Sequence, residues 1–248
     1  MERPPVRISV IIPCYNEEES MRPLVLEVRE TLEPLGMPYE IVITDDGSTD
    51  RSWQVLADLA REFPNVRAQR FQRNCGQSIA LAAGLRAGRG EILVTMDGDL
   101  QSDAREIPRL LDALKGCDCA NGSRVESRRK GDGPLRVISS KIANRIRNAL
   151  TGEEFTDSAC NFRAMRRPCI EGIWFFKGSH RFLSTLIKMD GFRVVEVPVT
   201  QRLRKFGMAK YGLWNRVFRA TRDLIGVRWM KSRHVRYEII DRAGPEGA

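Results

Sequence analysis

Apolar positions in the first half of the chain alternate between two rhythms. Arg7–Pro13 (RISVIIP), Glu40–Thr44 (EIVIT), Val66–Phe71 and Glu91–Met96 (EILVTM) are short runs, and in the first, second and fourth β-branched residues give the unbroken apolar character of strands buried on both faces. Between them Glu17–Leu35, Asp50–Phe63 and Gly76–Ala87 carry apolar residues at helical spacing. Strand, helix and strand joined by short loops predict right-handed βαβ units and a doubly wound α/β sheet. A fifth short strand is expected at Cys119–Gly122, followed by a charged loop, Arg124–Gly133, a helix over Leu135–Leu150 and an irregular segment at Asp157–Arg163. A helix at His180–Met189 then leads to a strand at Phe192–Val199.

In doubly wound sheets ligands sit beyond the carboxyl ends of the strands. The polar clusters fall there: Tyr15-Asn16-Glu17 after the first strand, Asp45-Asp46-Gly47-Ser48 after the second, and Asp97-Gly98-Asp99 after the fourth. Two carboxylates flanking a glycine on one short turn suit a hard cation, Mg²⁺ or Mn²⁺, that neutralises a diphosphate, and Gln101 offers a further oxygen. Asp45 and Asp46 exceed what an N-cap requires, although Ser48 or Asp50 is expected to cap the helix behind them. An acid there can accept from a base N–H or a ribose hydroxyl. The first strand is not followed by GxGxxG, which argues against NAD or FAD.

Composition narrows the class. In 248 residues, 42% hydrophobic and 29% charged usage is globular. The longest stretch without a charged residue, Asn74–Leu85, is too short to span a bilayer, which takes about 20 residues. The apolar run Ile8–Pro13 lies between two prolines and three glutamates and does not read as a secretory signal. Six cysteines without CxxC spacing are expected to be reduced thiols, in keeping with a cytoplasmic setting.

Charge is concentrated at one end. Gln201–Arg236 holds eleven Lys or Arg and one acid, a net of +10 against +9 for the whole chain, so this segment seeks an anionic partner. Within it Trp214, Val217, Phe218, Thr221, Leu224, Ile225 and Trp229 recur at three- and four-residue spacing beside Arg216, Arg219, Arg222 and Arg228. That pattern describes either a helix lying in a membrane interface or one packed on the body of the protein, and the two are compatible.

Pro13-Cys14-Tyr15-Asn16-Glu17, Asp45-Asp46-Gly47-Ser48, Asn74-Cys75-Gly76 with Ala80, Asp97-Gly98-Asp99-Leu100-Gln101, Gly122-Ser123-Arg124 and Gly207-Met208-Ala209-Lys210-Tyr211 occur in the order and approximate spacing of family 2 glycosyltransferases. Over residues 7–212 the chain most resembles the dolichyl-phosphate mannosyltransferases and their bacterial polyprenyl-phosphate relatives. The resemblance implies a GT-A domain over residues 1–212, with a basic interface helix and tail over 213–240. It implies inverting transfer of a sugar from a nucleotide donor, GDP-mannose or a UDP-hexose, to a polyprenyl or dolichyl phosphate at the cytoplasmic face of a membrane.

By that resemblance Pro13, Tyr15, Glu17, Asp46 and Asn74 line the donor pocket with Asp45 nearby, and Asp97, Asp99 and Gln101 hold Mg²⁺ or Mn²⁺ on the diphosphate. Arg124, Arg136 and Ser140 grip the acceptor phosphate, and Arg204 and Lys210 close over the phosphates. The partners expected are the donor, the lipid phosphate and an anionic membrane surface, with no nucleic acid. Ala209 stands where the family has serine, and Ser158-Ala159-Cys160-Asn161-Phe162-Arg163 departs from its small-residue and glycine pattern. The paired C-terminal transmembrane segments of many bacterial relatives are not matched, which leaves the amphipathic helix as the membrane contact. His180 either reaches substrate or serves in packing and capping. A hydroxyl acceptor would require a base, for which Asp157 is the candidate, and a non-enzymatic polyanion-binding reading leaves Asp97 and Asp99 without a role.

Overall fold

A computed structural model describes residues 5–127, 144–145, 147–150, 152–157, 160–202 and 213–235, with backbone only for 213–220. Strands β1 (Ile8–Cys14), β2 (Tyr39–Asp45), β3 (Val66–Arg70), β4 (Ile92–Thr95), β5 (Cys119–Ser123), β6 (Arg163–Arg166) and β7 (Val194–Pro198) form one sheet in the order β3-β2-β1-β4-β6-β5-β7. The helices are α1 (Glu18–Leu32), α2 (Ser52–Glu62), α3 (Gln77–Ala87), α4 (Ile107–Ala113), α5 (Pro168–Glu171), α6 (Leu183–Met189) and α7 (Leu213–Arg233). The predicted strands and the three N-terminal helices are present to within a few residues at each end.

β1 is the hinge of the topology. It pairs in parallel with β2 on one side, Cys14 opposite Asp45, and with β4 on the other, Ile11 opposite Thr95. The chain thus reverses its direction of winding between β1 and β4, and a doubly wound sheet opens a crevice at such a point. Alternate residues of β1 face opposite layers: Val10 and Ile12 pack with Met21, Leu24 and Leu56, whereas Ile11 joins Val42, Leu85 and Leu186. Burial on both faces is the physical reason β1 reads as an unbroken apolar run.

Three elements lie outside the predicted pattern, the short α5 and two that bear on the site. Residues 163–166, where an irregular segment was expected to end, form β6, antiparallel to both β4 and β5. An Ala-Met pair bracketed by arginines carries no strand signal, yet Arg163 is fully buried. Its Nε donates to Asn121 Oδ1 at 3.0 Å, and further bonds run to the carbonyls of His180 and Cys160, which satisfy the buried guanidinium. The other is α4, held by buried Ile107 and Leu110. The expected Arg124–Gly133 loop and Leu135–Leu150 helix fall largely outside the described residues; of the described part, 125–127 are helical where a loop was expected, and 144–145 and 147–150 are helical as expected. All six cysteines are free thiols, as expected.

Candidate active site

The carboxyl ends of β2, β1 and β4 bring three of the sequence clusters side by side. After β1, Asn16 takes a left-handed conformation (φ 52°), its N–H donates to Ser48 Oγ at 2.9 Å, and its Oδ1 accepts from Thr49 N–H. Glu17 N–H donates to Ser52 Oγ at 2.8 Å. The Tyr15–Glu17 turn is therefore tied to the loop after β2. Ser48 does not cap α2; Asp50 does the work nearest to a cap, Oδ1 accepting from Ser52 N–H at 3.0 Å.

Asp45 and Asp46 are buried and hold protein groups in different ways. Asp45 accepts from the Ser48 N–H and hydroxyl and pairs with Arg70 at 3.1 Å. Asp46 Oδ1 accepts from Cys75 N–H at 2.6 Å and Oδ2 from Gly76 N–H at 2.9 Å, which shapes the entry to α3. Burial raises the Asp46 pKa against those backbone donors, with Asp45 adding to the rise. Gly47, at φ 72°, lets the β2 loop touch the Arg73–Asn74 backbone: a Cβ would lie 2.6 Å from the Arg73 carbonyl carbon. Pro13 and Tyr15 are half-buried at this rim, and Asn74 is exposed beside it.

Asp97 and Asp99 extend from β4 on the neighbouring turn. Gly98 packs against the end of β1, where a Cβ would lie 3.1 Å from the Pro13 carbonyl oxygen and 2.8 Å from Met21 Cε. A residue without a side chain is what lets the two carboxylates flank so close a backbone approach. Asp97 Oδ1 accepts from Gln77 Nε2 at 2.8 Å and from Asn161 Nδ2 at 3.1 Å, and Asp99 Oδ1 accepts from Gln101 N–H at 3.1 Å. Burial and the neighbouring Asp99 push the Asp97 pKa up, against the Asn161 bond. Among the described residues no three His, Cys, Asp or Glu side chains are grouped to hold a metal. Two carboxylates and an amide fit a Mg²⁺-like ion that takes its remaining ligands from substrate phosphate and water.

Gln77 and Asn161 were not expected among the site residues. The antiparallel β6 delivers Asn161: Thr95 pairs with Arg163, and Thr95 Oγ1 donates to the Asn161 carbonyl at 2.6 Å. With β6 unrecognised, no sequence pattern could place Asn161 beside Asp97. Gln77 does carry a signal, since it opens α3 directly after Gly76.

Arg124 lies at the end of β5, and its fork is engaged by Asp157, Nε to Oδ2 at 2.7 Å and Nη2 to Oδ1 at 3.1 Å. Although burial disfavours the charge, the Asp157 bonds push the Arg124 pKa further up. Asp157 N–H in turn donates to Glu196 at 2.8 Å. His180 is half-buried: its Nδ1 lies 2.6 Å from Ser78 Oγ, and desolvation, Arg181 and Arg163 push its pKa down to about 3. It sits in the 3-10 turn Ser179–Arg181 and contacts Ser78 in the first turn of α3.

The chain leaves β7 over the Asp97–Gln101 turn. Arg202 N–H donates to the Gln101 carbonyl at 2.8 Å, and its guanidinium reaches Glu27 and Asp103. Arg204 and Lys210 follow in sequence, and these two, with Arg136 and Ser140, lie outside the described residues.

Comparison with known proteins places the chain in a family. The profile of Glycosyl transferase family 2 matches residues 9–174. The undecaprenyl-phosphate 4-deoxy-4-formamido-L-arabinose transferase of Edwardsiella ictaluri (strain 93-146) is 35% identical over 208 residues, 83% of this chain and 63% of that protein. The enzyme of the same name from Enterobacter sp. (strain 638) is 36% identical over 207 residues, 83% of this chain and 62% of the relative. The chain thus spans somewhat less than two thirds of the length of these curated relatives.

Among solved structures, glucosyl-3-phosphoglycerate synthase from Mycobacterium tuberculosis, in complex with Mn²⁺, UDP and phosphoglyceric acid, superposes with a TM-score of 0.67 at 18% identity over 91% of this chain and 78% of that one. A mannosyltransferase from Pyrobaculum calidifontis, in complex with GDP-Man and Mn²⁺, gives 0.63 at 20% identity over 94% and 67%. The shared fold is the GT-A type, a mostly parallel sheet flanked by helices. On the profile match and this fold, the chain belongs to the family 2 glycosyltransferases.

Proposed function

We propose that this glycosyltransferase passes a sugar, with inversion, from a nucleotide donor, GDP-mannose or a UDP-hexose, to the phosphate of a polyprenyl or dolichyl lipid. The observation that carries the reading is the pair of clusters at the β1/β4 switch point. Asp45 and Asp46 stand on one side of β1, Asp97 and Asp99 on the other, a spacing suited to a nucleoside and its diphosphate in one crevice. The relatives' names supply the lipid phosphate as acceptor class.

A divalent cation held by Asp97, Asp99 and Gln101 would neutralise the diphosphate as it leaves. The protein's own groups bind and orient. Gln77 and Asn161 fix the Asp97 carboxylate, and Asp46 holds the Cys75–Gly76 backbone at the pocket wall. Pro13, Tyr15, Glu17 and Asn74 form the rim of the donor pocket. Arg204 and Lys210 would cover the phosphates and exclude water that would hydrolyse the donor, while Arg136 and Ser140 would grip the acceptor phosphate. Arg124 supports that end of the site through Asp157.

The same ion pair favours a phosphate acceptor over a hydroxyl one. A phosphate monoester is already an anion near neutral pH and needs no base. A hydroxyl would need Asp157, whose two oxygens are committed to Arg124. We place the catalytic unit at residues 1–212 and the basic helix and tail at 213–240, peripherally attached at the cytoplasmic face of the membrane that carries the acceptor. Calorimetric titration with GDP and UDP, with and without Mn²⁺, tests the donor half: metal-dependent binding that Asp97→Asn abolishes supports it, and metal-independent binding unaffected by that change contradicts it.

A further inference from the structure

The last helix presents two apolar faces where its sequence suggested one. Leu224 and Val227 are buried against the body in a cluster with Leu183, Leu186 and Ile187, and Met230 packs beside them. The same side is fixed by polar contacts: Arg181 pairs with Asp223 at 2.8 Å, Arg228 Nη1 donates to the Leu150 carbonyl at 3.3 Å, and His234 lies 3.4 Å from Asp190. Asp223 also seats its carboxylate directly on Gly178, where there is no room for a Cβ. α7 is thus packed on the body through an inner face that is complete in itself.

Ile225 and Trp229, four residues apart and so on one stripe, point away from that face and are 61% and 63% exposed. Arg222 and Arg233 are exposed beside them, as is Arg228, whose guanidinium also reaches back to the Leu150 carbonyl. Asp223 is the helix's one acid, and Arg181 engages it on the inner side. An ordinary solvated helix face intersperses acids with its bases and shows few large apolar groups. This face instead offers an indole and a branched aliphatic side chain beside exposed arginines, with the uncharged Thr221 and Ser232 and no acid among its described residues.

That combination fits one kind of partner. Trp and Ile enter the boundary between headgroups and acyl chains, while Arg and Lys extend their stems along it and set their charges on lipid phosphates. We infer that the outer face of α7, built on Ile225 and Trp229, seats on a bilayer containing anionic lipid while the inner face holds the catalytic body against it. The inference gives the reading above its membrane contact and rests on that reading for the nature of the lipid substrate, but the contact itself is measurable without turnover.

Flotation of the full chain with vesicles tests it. The protein is expected to rise with vesicles of mixed phosphatidylcholine and phosphatidylglycerol, and not with phosphatidylcholine alone. The variant Ile225→Ser/Trp229→Ser should partition about a hundredfold less or weaker still, as expected when two large apolar side chains no longer enter the interface. Its thermal unfolding should be unchanged, because both side chains are exposed. Turnover on a short-chain, water-soluble polyprenyl phosphate should also survive in this variant, while turnover on acceptor embedded in vesicles falls with the partition. A wild-type chain that stays in solution with both vesicle types would overturn the inference, as would a double variant that floats equally well. So would a concentration-dependent dimer that the double variant abolishes, since the face would then belong to a second copy. Flotation without transfer to any acceptor would leave the membrane face standing and remove the proposed reaction.

Discussion

Gln77 Nε2 donates to Asp97 Oδ1 across 2.8 Å, joining the first turn of α3 to the turn after β4. Asn161 reaches the same oxygen from the start of β6, so two neutral amides fix the rotamer of a carboxylate that burial and Asp99 would otherwise disfavour as an anion. Gln77 is exposed and carries little of the fold. Gln77→Ala is expected to leave the melting temperature within error and to lower kcat/KM about tenfold, near the ~1.5 kcal/mol of a hydrogen bond to a charged group. The Mn²⁺ concentration for half-maximal rate should rise with it. Steady-state kinetics at several metal concentrations checks both.

Asp157 and Arg124 form the buried ion pair next to the site, their side chains 3% and 15% exposed. Removing one partner strands the other, at a cost of about 3–5 kcal/mol. Asp157→Ala should therefore unfold in markedly less urea than wild type, and Arg124→Met/Asp157→Leu should recover much of the loss. If Asp157 were instead a catalytic base, Asp157→Ala would lose activity while keeping its stability.

The half-buried, neutral His180 makes stability sensitive to acid. Its folded pKa, about 3, lies below the unfolded value of 6.5, so the unfolded chain takes up a proton that the folded chain refuses between those limits. Stability is then full above pH 6.5 and declines as pH falls below it, by up to about 1.4 kcal/mol per pH unit from this group. His180→Gln, which keeps an acceptor for Ser78, should show a shallower decline than wild type in urea unfolding between pH 7.5 and 5 (roughly one to two units around the His reference value).

Gly47 carries both a left-handed backbone and a contact with no room for a side chain. Gly47→Ala should cost about 1–3 kcal/mol in backbone strain alone and displace the Arg73–Asn74 backbone. Because Asp46 holds the adjoining Cys75 and Gly76 N–H groups, nucleotide affinity should weaken in step. Unfolding and nucleotide titration on the same variant read the two effects separately.

The residues themselves explain which features could be read before the structure was known. β1, β2 and β4 are buried on both faces, so their composition reveals them, and the acids at their ends are placed by strand direction alone. β6 is hidden because Arg163 looks solvent-seeking until Asn121 and two carbonyls are seen around it. Asn161 is hidden with it, since only the antiparallel pairing brings it to Asp97. In α7 the periodic stripe from Trp214 to Trp229 reads as one face, yet of the adjacent Leu224 and Ile225 the first is buried and the second exposed. Arg124 shows a third limit: its position matches a phosphate-gripping residue, while a carboxylate distant in sequence occupies its fork.

The most direct test is transfer of label from a panel of GDP- and UDP-sugars into the lipid phase by the purified chain with polyprenyl phosphate and Mn²⁺ or Mg²⁺. Metal-dependent labelling of the lipid from one donor, abolished in Asp97→Asn and Asp99→Asn, is the expected result. Donor binding with no lipid labelled by any sugar, or full activity in those two variants, would contradict the proposed reaction.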